Sequence, residues 1–282
     1  MPRAAKEDNE VKIALQVGLI PKSSIEDKQK WAADHGVEGL EIGSGDCTAE
    51  KADATLRAWE NSPVPVVSIC GNPSIDFLDP SREKRQKSMD ECKQVLTTAG
   101  KLGAVGQIVP PIFGPPRLPD LSPMEDAISL EKRLLAELIK ELGQVAAANN
   151  TLLLLEPLNR YEQHLLRKQG DGVEVIEMAG SPAGVAVISD FFHMHIEETN
   201  TPAALRAAGR HVRHIHLADN TRMEPGTGDI DFVAGFKALH DIGFDGYMAY
   251  ECGVTGKTPE EKEAALIKSL DYLKGCIAEA TK

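Results

Sequence analysis

The chain has 282 residues, 43 acidic against 31 basic, a net charge of −12 and a hydrophobic content of 42%. That is enough length and apolar material for one large domain, and the negative balance argues against a nucleic-acid-binding face, which has to be basic. The five cysteines are odd in number and show no CxxC spacing, so they read as reduced thiols and not as a disulfide framework.

No apolar run is long enough to span a bilayer, and the start of the chain lacks a signal-peptide pattern. A cytoplasmic protein with a small neutral substrate is expected. Met1 to Glu10 are polar and predict a flexible tail, followed by one domain over 11–282.

Strand-like and helix-like segments then alternate. Short apolar strands are predicted near Val11 to Val17, Val37 to Ile42 and Val64 to Cys70. Met89, Cys92, Leu96 and Ala99 mark one face of a helix. A fourth strand is predicted at Val105 to Val109, followed by the proline-rich stretch Pro110 to Pro116, which cannot be helical. Leu130, Leu134, Leu138 and Leu142 then suggest the apolar face of a second helix.

Four more strands follow: Leu152 to Glu156, Val185 to Asp190, Val212 to His216 and Tyr247 to Glu251. A loop at Pro225 to Gly228 follows the seventh strand, and Gly253 to Lys257 reads as a plain turn after the eighth. Thr258 is an N-cap, Pro259 fits the first turn, and Glu261 completes a capping box. Leu266, Leu270, Leu273 and Ile277 mark the apolar face of that last helix. Eight such units predict an α/β protein, a single (β/α)8 TIM barrel of the usual size, about 250 residues.

The last four strands each end on a metal-ligand residue: Glu156, Asp190, His216 and Glu251. They lie roughly 30 residues apart, one βα unit each. In a barrel all strand ends open onto one face, so three carboxylates and an imidazole would converge there. That much negative charge implies a divalent cation. A set of three oxygens and one nitrogen, without thiolate, favours Mn2+, with Mg2+ or Co2+ as alternatives, over structural zinc. Two open coordination positions would accept a sugar carbonyl and its neighbouring hydroxyl, and the metal would stabilise an enediolate. His214, one layer below His216, is expected to orient a ligand from behind. Glu41 could line the pocket floor, or equally be paired there with a lysine or arginine.

Four stretches resemble the xylose isomerase-like barrels, and within them the ketose 3-epimerases of the tagatose/psicose type. They are Leu154 to Glu162, Ser189 to Glu198, His214 to Arg222 and Tyr250 to Gly253. The resemblance implies an isomerase that inverts C3 of a free ketose by deprotonation and reprotonation through a metal-bound enediolate. Glu156 and Glu251 would be metal ligands that also act as acid and base, one on each face of the reacting carbon. Asp190 and His216 would be ligands only. Glu162, His193 and Arg222 would hold substrate oxygens.

The alternative on the same metal site is a lyase or dehydratase acting on a keto-sugar, keto-inositol or 3-keto-glycoside. An abasic-site endonuclease would need more histidine ligands and a basic face. A catalytically dead barrel would not need an intact ligand set. The expected partners are a small carbohydrate and further copies of the chain, as a dimer or tetramer, with neither nucleic acid nor membrane.

Overall fold

A computed structural model describes residues 11–74 and 76–282. The tail expected over residues 1–10 lies outside the described residues. Eight parallel strands close into a barrel in chain order: β1 (Lys12–Gln16), β2 (Gly39–Gly43), β3 (Val66–Cys70), β4 (Gly106–Val109), β5 (Leu152–Leu155), β6 (Val185–Asp190), β7 (Val212–Leu217) and β8 (Tyr247–Tyr250). Every strand foreseen from the sequence is present, within two residues at either end. β5 is an unbroken run of leucines, as expected for a parallel strand covered on both faces.

The outer layer comprises α1 (Ile25–Asp34), α2 (Ala52–Trp59), α3 (Arg82–Leu102), α4 (Ala127–Ala148), α5 (Gln169–Met178), α6 (Phe191–Glu197), α7 (Thr201–Ala208), α8 (Phe232–Asp241) and α9 (Pro259–Ala280). Two short helices, α6 and α7, share the connection between β6 and β7. The Thr258–Glu261 capping box forms at the start of α9, and Leu266, Leu270 and Leu273 are buried beneath that helix.

The buried face of α4 is turned from the one expected. Leu135, Ile139, Leu142 and Ala146 are buried, whereas Leu130, Leu134 and Leu138 are only half-buried. Steps of four residues advance about 40° beyond a full turn each time. A strict four-residue stripe therefore drifts off the face that a straight helix presents to the barrel.

Inside the barrel the lower layers are apolar and small. Ala14, Val67 and Ala249 pack together, as do Ile108, Leu154, Ala186 and Ile188. A Cβ on Gly39 would come within 2.4 Å of Val67 Cγ1, so only glycine fits at that point. The upper layer is polar. Two register shifts, between β2 and β3 and between β6 and β7, set Glu41 level with Ser68 and Asp190 level with His216. Such irregularities re-aim side chains near functional sites. Because strand side chains alternate, Gln16, Glu41, His216 and Glu251 then face the same end of the barrel interior.

Candidate metal centre

Glu156, Asp190, His216 and Glu251 meet at the strand ends, with ligand atoms that all lie within 4.8 Å of one another. Asp190 and His216 end or nearly end their strands, while Glu156 and Glu251 each stand one residue beyond β5 and β8. Asp190 has a double task. Its Oδ1 caps α6, accepting from the Phe192 amide at 2.7 Å and the His193 amide at 3.3 Å. That leaves Oδ2 facing the centre.

His216 is fully buried between Glu41 on one side and three carboxylates on the other. Its Nε2 lies 3.1 Å from both oxygens of Glu41. Its Nδ1 faces Glu251 Oε2 at 3.0 Å, Glu156 Oε1 at 3.4 Å and Asp190 Oδ2 at 3.8 Å. Yet Nδ1 and Glu156 Oε1 make no hydrogen bond. Orphaned buried polar atoms are costly and call for a partner. The donor set fits a hard divalent cation, which would satisfy both atoms at once.

The electrostatics show the same demand for positive charge. Burial opposes a charge on His216, but Glu41 and Glu251 outweigh it and hold the imidazole well above its usual range. Burial pushes the Glu156 carboxyl up, and the charge of Glu251 adds to this. Burial acts the same way on Glu251, but His216 and Arg222 win and hold it well below the usual carboxylate range. Burial would also raise Glu41, yet His216 and His214 keep it well below that range.

The sequence reading allowed a lysine or arginine beside Glu41, and the structure corrects this. The partners of Glu41 are Gln16 Nε2 at 2.9 Å, Ser68 Oγ at 2.6 Å, His214 Nε2 at 3.3 Å and His216. A second trio, Glu41, Cys70 and His216, is also close enough to hold an ion. There Glu41 is already saturated, and burial pushes the Cys70 thiol well above its usual range, with Glu251 adding to the effect. A protonated thiol is a poor ligand.

Arg222 reaches the centre from the loop after β7. Its Nη1 donates to Asp190 Oδ2 at 2.7 Å and its Nη2 to Glu251 Oε2. The guanidinium also lies over the Phe192 ring, 4.7 Å from its centroid. Its backbone is left-handed, φ 58°, an uncommon and strained state for a non-glycine residue. Three hydrogen bonds hold it: Arg222 N to Asp219 O at 2.9 Å, Asp219 N to Met223 O at 2.8 Å, and Gly253 N to Arg222 O at 2.7 Å. The last of these ties the loop after β7 to the loop after β8. The carboxylate of Asp219 collects the amides of Asn220, Gly226 and Ile230, and Gly228 packs where a Cβ would strike Asn220 and Asp219.

His193 lies in the first turn of α6, buried, with Nδ1 accepting from Asn159 Nδ2 at 2.8 Å. That contact directs Nε2 toward Asp190 Oδ2, 3.8 Å away. Glu162 is 43% exposed and accepts from the same Asn159 amide at 2.8 Å. Of the residues singled out in the sequence, Glu162 is the one at the rim.

Gln16, Ser68 and Asn159 were not foreseen. Gln16 and Ser68 were legible only as polar residues breaking apolar strands, and Asn159 lies within the Leu154 to Glu162 segment. In the turn after β8 the amides of Thr255, Lys257 and Thr258 go to Glu224 and Glu261. No phosphate cradle is formed by those amides, in keeping with a plain turn.

The family described as xylose isomerase-like TIM barrel matches residues 29–276. The chain belongs to that family. Over 270 residues it is 31% identical to the 3-dehydro-D-guloside 4-epimerase of Escherichia coli K12, covering 94% of this chain and all of that one. It is 36% identical to the D-psicose 3-epimerase of Ruminiclostridium cellulolyticum over 115 residues, 41% of this chain and 39% of that one. Among solved structures, an Escherichia coli 3-keto-D-glucoside 4-epimerase superposes with a TM-score of 0.83 at 29% identity, over 95% of this chain and all of that one.

These members of the xylose isomerase-like family are epimerases, and this chain is accordingly an enzyme of the isomerase class. Among its described residues, no helix is long and apolar enough to cross a membrane.

Proposed function

We propose that this chain is a metal-dependent sugar epimerase that inverts the hydroxyl-bearing carbon next to a ketone. The convergence of Glu156, Asp190, His216 and Glu251 within 4.8 Å carries the reading. All four residues would hold one divalent ion, Mn2+ first among the candidates, which when bound polarises the ketone and so acidifies the neighbouring C–H. The chain's own residues do the rest. One of Glu156 and Glu251 takes the proton, and the other returns one to the opposite face of the planar enediolate. Arg222 and His193 hold substrate oxygens beside that carbon, and Glu162 contacts the substrate from the rim. His214 supports the site from below.

The resemblance to the ketose 3-epimerases implied C3 of a free ketose. The full-length match to a keto-glycoside 4-epimerase moves the preferred substrate to a 3-keto-glycoside inverted at C4. The chemistry is the same, because both carbons lie alpha to the carbonyl. To test it, the Mn2+-loaded protein is incubated in D2O with methyl 3-keto-glucoside and with a panel of ketoses, followed by proton NMR. Deuterium appearing at C4 of the keto-glycoside together with its epimer is the expected result. Exchange confined to C3 of a ketose would restore the first substrate choice. Loss of water or aglycone would favour the lyase alternative.

Arg222→Ala is expected to lower kcat/KM roughly tenfold or more, since hydrogen bonds to charged groups contribute about 1.5–3 kcal/mol. Mn2+ affinity should not fall, because the guanidinium occupies two of the oxygens a cation would use. Steady-state kinetics and calorimetry on the same preparation check both halves. Unchanged kinetics on the true substrate would return Arg222 to a purely structural part in the loop.

We also infer a cytoplasmic enzyme, supported by five unpaired cysteines, three of them buried. A dimer or tetramer belongs to the same reading. Leu130, Leu134 and Met178 line an outer groove between α4 and α5, a candidate contact between copies that light scattering would test.

A further inference from the structure

We propose that Glu41 is a positioning residue that decides which nitrogen of His216 meets the cation and, through Gln16, fixes the carboxylate of Glu251. The inference rests on the metal site proposed above. Glu41 is 1% exposed, and its two oxygens straddle His216 Nε2 at 3.1 Å each. An ionised carboxylate only accepts, so the shared proton sits on Nε2. An imidazole that holds a cation has given up its second proton, so with the Nε2 hydrogen kept by Glu41 the lone pair is left on Nδ1. That lone pair points into the space bounded by Glu156, Asp190 and Glu251.

On the inner side of the ring Glu41 is the hydrogen-bond partner of Nε2. His214 sits on that side as well, but as a partner of Glu41 at 3.3 Å. The carboxylate is held in place by Ser68 Oγ at 2.6 Å.

Gln16 extends the effect. Its amide nitrogen donates one hydrogen to Glu41 Oε1 at 2.9 Å and the other to Glu251 Oε1 at 3.1 Å. Glu251 is thereby left with Oε2 toward His216 and Arg222. A single buried carboxylate on β2 thus sets the orientation of groups on β7 and β8. Carboxylate partners of ligating histidines act in this way, fixing tautomer and ring orientation.

The test uses the full-length protein with selectively 15N-labelled histidine, loaded with 113Cd2+, His216 being assigned with a His214→Gln sample. The expected spectrum shows cadmium coupling to Nδ1 of His216 and a proton on its Nε2. In calorimetry, Glu41→Gln should bind Mn2+ about 10- to 100-fold more weakly than wild type. Coupling of cadmium to Nε2, or Glu41→Gln binding Mn2+ within twofold of wild type, would overturn the inference while leaving the metal site standing. If Glu41→Gln does not fold, the wild-type spectrum decides alone. If wild type binds neither ion, the metal reading itself falls and the inference falls with it.

Discussion

Glu156→Gln and Glu251→Gln should each reduce epimerisation by about 10²- to 10⁴-fold, the contribution usual for a positioned acid or base. Glutamine keeps the shape and one coordinating oxygen but cannot take up a proton at neutral pH. Part of the metal site should survive, and measured metal content separates loss of the ion from loss of the base. A two-base reaction also makes a sharper demand. Each variant retains the base for one face of the substrate carbon. One variant should therefore still exchange the alpha proton of one epimer with D2O, the other variant that of the opposite epimer, and neither should interconvert them at speed. NMR wash-in from each pure epimer reads this directly. A variant that epimerises at near wild-type rate would leave only a one-base mechanism.

The second large effect is expected at Asp190. Asparagine replaces aspartate well as a helix N-cap, so Asp190→Asn should keep the bonds from Oδ1 to the Phe192 and His193 amides and preserve α6. What it removes is the charge on the oxygen that faces the centre. Changing even an outer partner of a metal ligand costs about 10–100-fold in affinity, and losing a charged ligand to a hard cation should cost at least that much. Binding stabilises the fold by RT ln(1 + [L]/Kd), about 4 kcal/mol at a thousandfold excess over Kd. Saturating Mn2+ should therefore raise the melting temperature of wild type clearly and that of Asp190→Asn little. Equal Mn2+ affinity by calorimetry in the two proteins would remove Asp190 from the ligand set.

The two substitutions probe different parts of one charge balance. The centre gathers Glu41, Glu156, Asp190 and Glu251 around His216, and the Arg222 guanidinium reaches Asp190 and Glu251. Burying that many carboxylates is tolerable only with compensating cations or hydrogen bonds. The structure divides the work. Glu41 is satisfied from below by Gln16, Ser68 and the two histidines. The upper three face Nδ1 of His216, Asp190 and Glu251 also meet Arg222, and the proposed metal ion would balance the rest.

The sequence by itself determined the alternation of strands and helices, and with it the barrel. Buried parallel strands must be short apolar runs, and helices must carry an apolar stripe and caps, so both leave local marks such as Leu152 to Leu155 and the Thr258–Glu261 box. The four ligand candidates were legible for the same reason: a charged residue ending an apolar strand stands out in one dimension. Tertiary structure alone decided what lay beside them. Gln16, Glu41 and Ser68 come from β1, β2 and β3, while the histidines they support come from β7. Only closure of the barrel and two register shifts bring those strands' side chains together. The drift of the buried stripe on α4 and the left-handed backbone of Arg222 were hidden for a related reason. Helix geometry makes the four-residue stripe drift, but which face of α4 is covered is set by the barrel wall; local turn bonds shape the Arg222 backbone, but its tie to the Gly253 amide comes from far along the chain, so neither follows from a local pattern alone.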